Sequence, residues 1–198
     1  MKFPTKIGVF VFYVWSGKRG RELAALTTPS LNNKKPVLLR VHSECLTGDA
    51  FHSLLCDCEQ QKEKALRQIL ASGNGIFIYH RQEGRNVGLY NKVKIYNLMQ
   101  RGIDTYKAST IVAGRADKRD YSDVKKALKY LLPTDTRRLH LLTNNPEKVR
   151  FLTKLGYQVK AVPLTSTENK HSASYLKAQR KRFAWKSIVR IRSRGSHE

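Results

Sequence analysis

The three cysteines of this chain fall within one short window. Cys45, Cys56 and Cys58 are the only cysteines among 198 residues. Three clustered thiols cannot all pair as disulfides. We expect no signal peptide at the N-terminus, and clustered cysteines then favour a reducing compartment and metal binding. Zn²⁺ prefers four tetrahedral ligands, so a site with three protein ligands leaves one position for water, whose pKa the metal lowers towards neutrality. The window therefore predicts a catalytic zinc site and indicates hydrolysis.

Two other interpretations of this window stay open at the level of the residues. The thiols could be buried cysteines that bind no metal, or His42 or His52 could supply a fourth ligand and make the site structural. Three cysteine ligands are favoured, because a histidine is more often a hydrogen-bonding partner than a ligand. Cys56-Asp57-Cys58 also precedes a predicted helix, whose N-terminus stabilises thiolates.

Three further segments carry polar and charged residues in patterns that suit a nucleotide. His80–Leu89 (HRQEGRNVGL) follows a predicted strand, where α/β folds place ligand loops, and its Glu83 could accept two N–H donors from a guanine edge. Gly114–Tyr121 (GRADKRDY) alternates charges before a helix. Leu141–Lys148 (LLTNNPEK) joins a strand to a helix N-terminus, which can bind phosphate through free backbone N–H groups. Each segment could equally be an ordinary surface loop or helix cap.

The elements that position these segments alternate between strand and helix. Predicted strands cover Ile7–Val14, Pro36–Val41, Gly75–Tyr79, Leu139–Leu142 and Gln158–Val162. Predicted helices cover Glu59–Ala71, Lys92–Gln100, Ser122–Leu131 and a stretch from Asn145-Pro146 to Gly156. This alternation predicts an α/β fold, a single layered domain.

Composition and charge restrict the class of protein. Hydrophobic residues make up 40% of the chain, which is typical of a globular domain, and no apolar run is long enough to span a membrane. The net charge of +23 predicts attraction to polyanions. Much of the excess lies between Lys170 and Arg194, which is either a solvated tail or a nucleic-acid-binding arm.

Taken in this order, the motifs closely resemble those of the GTP cyclohydrolase II family, which catalyses the first committed step of riboflavin biosynthesis. The segments that carry the resemblance are RVHSECLTGDAFHSLLCDC, YHRQEGRNVGLYNK, ADKRDY and LLTNNPEK. It implies a mixed sheet with flanking helices, and a hydrolase that opens the imidazole ring of GTP at C8. Formate and pyrophosphate would be released, giving 2,5-diamino-6-(5-phosphoribosylamino)pyrimidin-4-one.

The resemblance also implies the site residues. One Zn²⁺ per chain would be held by Cys45, Cys56 and Cys58, and Mg²⁺ would accompany the triphosphate. The family's nucleotide contacts fall on Arg40, Val41, His42, Ser43, Glu44, Gln61, Glu83, Gly84, Arg85, Thr105, Thr143 and Lys148. Its catalytic residues fall on Tyr96, Asp117 as general base and Arg119 as nucleophile. A guanidinium stays protonated, so stabilising phosphate charge is the physically easier role for Arg119.

The expected assembly is a cytoplasmic homodimer that acts on GTP and contacts no membrane. The expected domains are a catalytic domain over residues 1–170 and a basic C-terminal segment over residues 171–198. Departures from the family pattern occur at Leu55, Glu59, Val112–Gly114 and the C-terminal Arg180–Trp185, and the last two leave a diverged paralogue with an altered product as an alternative. A basic nucleic-acid-binding module on the same scaffold is the alternative from another functional class.

Overall fold

Seven strands form one mixed sheet in the computed structural model, which describes residues 1–17, 22–115 and 117–183. The strands are β1 (Lys2–Pro4), β2 (Val9–Ser16), β3 (Glu22–Thr27), β4 (Val37–Ser43), β5 (Gly75–His80), β6 (Arg138–Leu142) and β7 (Gln158–Val162). Their order in the sheet is β1-β2-β3-β5-β4-β6-β7. The first three strands and β5 pair antiparallel, whereas β5, β4, β6 and β7 pair parallel. The predicted α/β class with a mixed sheet is therefore confirmed.

Helical segments occupy both faces of this sheet and the loops at one of its edges. They are α1 (Leu46–Asp49), α2 (Cys58–Ser72), α3 (Glu83–Asn86), α4 (Leu89–Gln100), α5 (Thr105–Ala113), α6 (Ser122–Leu131), α7 (Pro146–Lys154) and α8 (Ala173–Phe183). The predicted helices correspond to α2, α4, α6 and α7, and the five predicted strands to β2, β4, β5, β6 and β7. The sequence patterns did not predict β1, β3, α1, α3, α5 or α8.

The side chains of the central strands alternate between two hydrophobic clusters. On β5, Ile76 and Ile78 pack with α6 and α7 on one face, whereas Phe77 packs with α2 on the other. On β4, Leu39 and Val41 join the first cluster. Because successive strand residues point to opposite faces, Arg40 must lie on the α2 face. The core thus forces this cation beneath a helix rather than into solvent.

The carboxyl ends of three parallel strands meet at one edge of the sheet. Strand β4 leads to the cysteine window, β5 to the 80–88 loop, and β6 to Thr143 at the start of the α7 connection. Open α/β sheets bind ligands at this edge. The fold therefore brings together three of the four predicted motifs.

Two observations bear on the remaining predictions. In the parts of the chain that the structure describes, no helix combines the length and the apolar character needed to cross a bilayer. Most of the predicted basic C-terminal segment, residues 184–198, lies outside the described residues. Its first part is helix α8.

Candidate active site

The three cysteine sulfurs converge beside the carboxyl end of β4. Cys45 lies immediately before α1, and Cys58 is the first residue of α2. The three Sγ atoms all lie within 4.8 Å of one another, and those of Cys45 and Cys56 are 3.6 Å apart. Cys45 and Cys56 are buried. Three converging thiols of this kind suit a soft, tetrahedral ion such as Zn²⁺.

A glycine leaves room for this cluster. A Cβ at Gly48 would lie 2.9 Å from Cys56 Sγ and 3.2 Å from Cys45 Sγ. The turn is also tied down, since Asp49 accepts a hydrogen bond from the Cys45 backbone N (3.1 Å) and another from the Tyr79 hydroxyl (3.0 Å). The residues present therefore fit a metal ion, because the thiols are close and the backbone around them is fixed.

Neither histidine of the window joins the thiol cluster. His42 Nε2 lies 3.0 Å from both carboxylate oxygens of Asp49, and its ring stacks near Phe77. His52 Nδ1 contacts Glu59, and the His52 side chain is 71% exposed. Within residues 1–17, 22–115 and 117–183, the group able to hold a metal consists of the three cysteines alone. The geometry favours the interpretation with three protein ligands.

Two buried cations lie together at the strand ends. Arg40 is 4% exposed, and its guanidinium donates to Leu142 O (2.8 Å) and Gln61 Oε1 (2.6 Å). Lys148 Nζ donates to Val41 O at 2.7 Å. Burial lowers the pKa of Arg40 to about 10. Burial, with repulsion from Arg40 and Arg119, lowers the pKa of Lys148 well below its usual value. A bound anion would stabilise the charged forms of these two neighbouring side chains.

Several polar groups at this end of the site are buried without a partner in the described structure. They include Arg40 Nε, Ser43 Oγ and Asn145 Nδ2, and all three residues line the cleft. Asn145 also caps α7, since its Oδ1 accepts from Glu147 N at 2.9 Å. An unsatisfied buried donor costs about 1–3 kcal/mol. A polar ligand in the cleft would satisfy such groups.

The loop after β5 adopts a left-handed turn. Gly84, Arg85 and Asn86 have φ angles of 60°, 62° and 68°. Non-glycine residues in this conformation cost about 1–2 kcal/mol each. The turn is held by Asn86 Nδ2, which donates to Lys118 O (2.8 Å), and by Lys118 N, which donates to Arg85 O (3.1 Å). The second and third predicted motifs are therefore joined.

Glu83 connects this loop to the metal window. One of its oxygens accepts from Leu46 N (2.6 Å), and the other lies 2.8 Å from Lys92 Nζ. Lys92 also donates to Cys45 Sγ at 3.1 Å. Tyr96, one turn along α4, lies with its hydroxyl 3.4 Å from Thr47 Oγ1, and burial raises its pKa to about 12. Tyr96 therefore stays protonated and can donate a hydrogen bond beside the thiols.

Asp117 and Arg119 form a local ion pair. Arg119 Nε lies 3.0 Å from Asp117 Oδ1, and its terminal NH2 group donates to Oδ2. Burial alone would raise the pKa of Asp117, but the guanidinium of Arg119 outweighs it and holds that pKa below its usual value. The pKa of Arg119 is raised, because the attraction of Tyr121 and Asp117 outweighs burial. Both groups are therefore charged at neutral pH.

The predicted site residues, apart from Val41 and Asp117, line one cleft. Val41 directs its side chain into the core and offers its carbonyl to Lys148. Asp117 is bonded to Arg119, which does line the cleft. The structure thus brings the four motifs into one place.

Sequence reasoning missed several lining residues. They are Asp57, Lys92, Ile95, Tyr106, Ser109, Asn144, Asn145, Tyr175 and Gln179. The spacing of Lys92 and Tyr96, i and i+4 on a predicted helix, could have indicated that Lys92 shares the face of Tyr96. Nothing in the sequence pattern distinguishes Tyr175, because the segment after Val162 is mostly polar and basic.

Comparison with known proteins supports this picture. The family model described as GTP cyclohydrolase II matches residues 1–163. A GTP cyclohydrolase-2 of Hahella chejuensis is 47% identical over 178 residues, which cover 88% of this chain and 84% of that protein. One from Azotobacter vinelandii is 46% identical over 177 residues, covering 88% and 84%. One from Buchnera aphidicola is 44% identical over 178 residues, covering 89% and 90%.

Proposed function

This chain belongs to the GTP cyclohydrolase II family, and we propose that it is an enzyme that opens the imidazole ring of GTP. The reaction would release formate and pyrophosphate and leave 2,5-diamino-6-(5-phosphoribosylamino)pyrimidin-4-one for riboflavin biosynthesis. The observation that carries the proposal is the shared cleft, in which a three-thiol cluster and the buried cations Arg40 and Lys148 line the same space. A metal end and an anion end in one cleft suit a nucleotide hydrolysed at its base.

At the metal end, Cys45, Cys56 and Cys58 would hold one Zn²⁺ per chain. When bound, the ion supplies Lewis-acid activation of water at neutral pH. Lys92 donates to Cys45 Sγ and offsets part of the thiolate charge. Tyr96 would donate a hydrogen bond near C8 of the base, because its raised pKa keeps the hydroxyl protonated. These residues orient the base and hold protons at defined atoms.

Glu83 is the proposed guanine reader. Its carboxylate already accepts from Leu46 N, Gly84 N and Lys92 Nζ, which fixes its orientation. A carboxylate has about four lone-pair sites, so an acceptor remains for a guanine N–H. Thr105, Gln61 and the backbone at Gly84 would complete this wall of the pocket.

At the anion end, Arg40, Lys148, Thr143 and the α7 N-terminus would receive the triphosphate, which Mg²⁺ would accompany. His42, Ser43, Glu44, Val41 and Arg85 are the remaining proposed nucleotide contacts. Arg119 would stabilise charge on the phosphates. Asp117, ionised and bonded to Arg119 through both oxygens, would orient that guanidinium and serve as the general base.

The test is a reaction of zinc-loaded protein with GTP and Mg²⁺, assayed for formate, pyrophosphate and product mass. Formate release with about one zinc per chain is the expected result. The same assay on Cys56→Ser should show loss of zinc and ring opening together, whereas Leu54→Ser, at an exposed position in the same loop, should keep both. Protein that carries zinc and releases no formate would contradict the proposal, and a different product mass would favour the diverged paralogue.

The assembly and location are also proposals. A homodimer, expected from the family, is tested by the mass of the purified protein in solution, and a monomeric active enzyme would refute it.

A cytoplasmic location is supported by the three free thiols, which persist in reducing compartments. The relatives are named as enzymes, so the comparisons do not favour the nucleic-acid-binding alternative.

A further inference from the structure

The chain after β7 follows a fixed path along α2. Leu164 is buried in the cluster on the α2 face, and its backbone N and O both bond to the Asn144 side chain, at 2.9 Å and 2.6 Å. Gln60 pairs in the same way with the backbone of Thr167, at 3.1 Å and 2.8 Å. Ser166 Oγ donates to Asp57 Oδ2 at 2.5 Å, next to two of the cysteines. Residues 164–167 are therefore attached to the rim of the cleft.

Because of this path, helix α8 lies beside the cleft. Ser172 and Leu176 are buried, 1% and 6% exposed, and α8 packs against α5. Tyr175 and Gln179, which are i and i+4 and so share one face of α8, both line the cleft. Both residues lie beyond residue 163, where the family match ends. The wall that α8 provides thus lies after the part of the chain that carries the four motifs.

Tyr175 contacts a residue of the strained loop. The guanidinium carbon of Arg85 lies 4.3 Å from the ring centroid of Tyr106 on α5 and 5.9 Å from that of Tyr175 on α8. Both separations suit a cation over an aromatic face. Arg85 also has a positive φ, so its backbone is held in an unfavourable conformation. A long side chain on such a turn needs partners to keep one orientation, and the two rings supply them.

We propose that Tyr175 is a positioning residue of the nucleotide site, which holds the Arg85 guanidinium against Tyr106 so that its charge faces a bound nucleoside triphosphate. Gln179, one turn further along α8, closes the same wall with its amide. The inference rests on the proposed function, because that function supplies the nucleotide. It assigns a binding role to α8 rather than the role of a cap that only covers hydrophobic surface.

The test compares full-length, zinc-loaded variants by steady-state formate release and by the affinity for a non-hydrolysable GTP analogue. Tyr175→Phe keeps the ring and should stay within about twofold of wild type in KM and Kd. Tyr175→Leu keeps apolar bulk but loses the ring face, and should raise both constants about tenfold with little change in kcat. Lys177→Ala, at an exposed position on α8, is the matched control and should change neither.

A double-mutant cycle separates positioning from simple packing. If Tyr175 acts through Arg85, Arg85→Ala with Tyr175→Leu should bind the analogue no more weakly than Arg85→Ala alone. Additive losses, or a Tyr175→Leu protein that melts earlier but keeps its KM, would overturn the inference and leave α8 as a structural cap. A wild-type protein that neither binds the analogue nor releases formate would instead overturn the proposed function itself.

Discussion

Gly48 shows how one missing side chain decides whether the thiols can meet. It lies within α1 at an ordinary φ, so a helix former would be tolerated by the backbone. A Cβ there would press on Cys56 Sγ at 2.9 Å, on Cys58 Cβ at 3.1 Å and on Cys45 Sγ. The glycine is therefore explained by the metal window, because the turn itself does not require it.

We expect Gly48→Ala to weaken zinc binding. Alanine in a helix is favoured over glycine by about 1 kcal/mol, so any loss must come from displaced thiols. Zinc affinity should fall about 10–100-fold, the range typical of residues that orient metal ligands, as measured by competition with a chelator. Ala50→Ser, at an exposed position after the same turn, should bind zinc as wild type does. An unchanged zinc affinity in Gly48→Ala would show that the three thiols can move apart to accommodate a methyl group and still bind the metal.

The lowered pKa of Lys148 predicts that the protein takes up a proton when the nucleotide binds. Burial and the nearby cations Arg40 and Arg119 lower its pKa, and bound phosphate would raise it again. A group whose pKa rises on binding takes up protons, so affinity should fall as pH rises through the pKa of the free protein. Calorimetric titration of a GTP analogue at mildly alkaline pH, in two buffers of different ionisation enthalpy, measures this uptake.

Lys148→Arg is the control for that measurement. Arginine stays charged in the free protein, so the variant should show less uptake than wild type while keeping the positive charge. Arg40 and His42 also have lowered pKa values, mainly from burial, and would account for any uptake that remains. Identical uptake in both proteins would assign the proton to those groups instead of Lys148.

At the scale of elements, periodicity predicted the strands and helices whose burial follows a simple pattern. Strand β7 and helix α6 have the predicted bounds, Gln158–Val162 and Ser122–Leu131. Strand β3 was missed because its sequence, ELAALT, is rich in helix formers. It is a strand because it lies between β2 and β5 and pairs with both. Tertiary pairing outweighs propensity there.

Site residues could be predicted from the sequence where the type of side chain determines the chemistry. They could not be predicted where the path of the folded chain determines which residues reach the cleft. Cysteine spacing indicated the metal cluster, because few other roles need three thiols together. Helix α5 had usable signals, since Asp104 caps its N-terminus and Gly114 ends it with a φ of 76°. The contribution of Tyr175 depends on the path of residues 163–172 along α2, and no local pattern in the sequence encodes that path.

The left-handed turn at residues 84–86 predicts an unusual order of stabilities. Asn86→Ala and Asn86→Gly both lose the hydrogen bond to Lys118 O, but only alanine is strained by a φ of 68°. We expect Asn86→Ala to be the less stable variant by about 0.5–1 kcal/mol in urea unfolding.

Asn91 provides the opposite case for comparison. Its amide donates to Val87 O at 2.9 Å from within α4, where the backbone is helical. Glycine is worse than alanine in a helix, so Asn91→Gly should be less stable than Asn91→Ala by about 1 kcal/mol. The same order at both positions would mean that the turn at residue 86 relaxes when its side chain is removed.

At the scale of the whole molecule, the positive charge extends well beyond the last fifteen residues. Only four of the 38 basic residues, Lys186, Arg190, Arg192 and Arg194, fall within residues 184–198. The nearby helix α8 belongs to the wall of the cleft, where Tyr175 and Gln179 lie. The region after Lys170 therefore divides into a helix that lines the site and a short basic end.

This division predicts what removal of residues 184–198 will do. The shortened protein should keep its zinc and its turnover of GTP, because the cleft is already lined on its metal and anion ends by residues of the described part of the chain, all before residue 184. It should also keep a salt-sensitive affinity for a single-stranded RNA, with the slope of log K against log salt reduced by at most about 2.8, which is about 0.7 for each of the four cations removed. Removing four cations cannot abolish the attraction that the rest of a chain of net charge +23 exerts. Loss of nearly all RNA binding with full turnover would instead make the end a dedicated nucleic-acid arm. Loss of turnover would place part of the active site beyond Phe183.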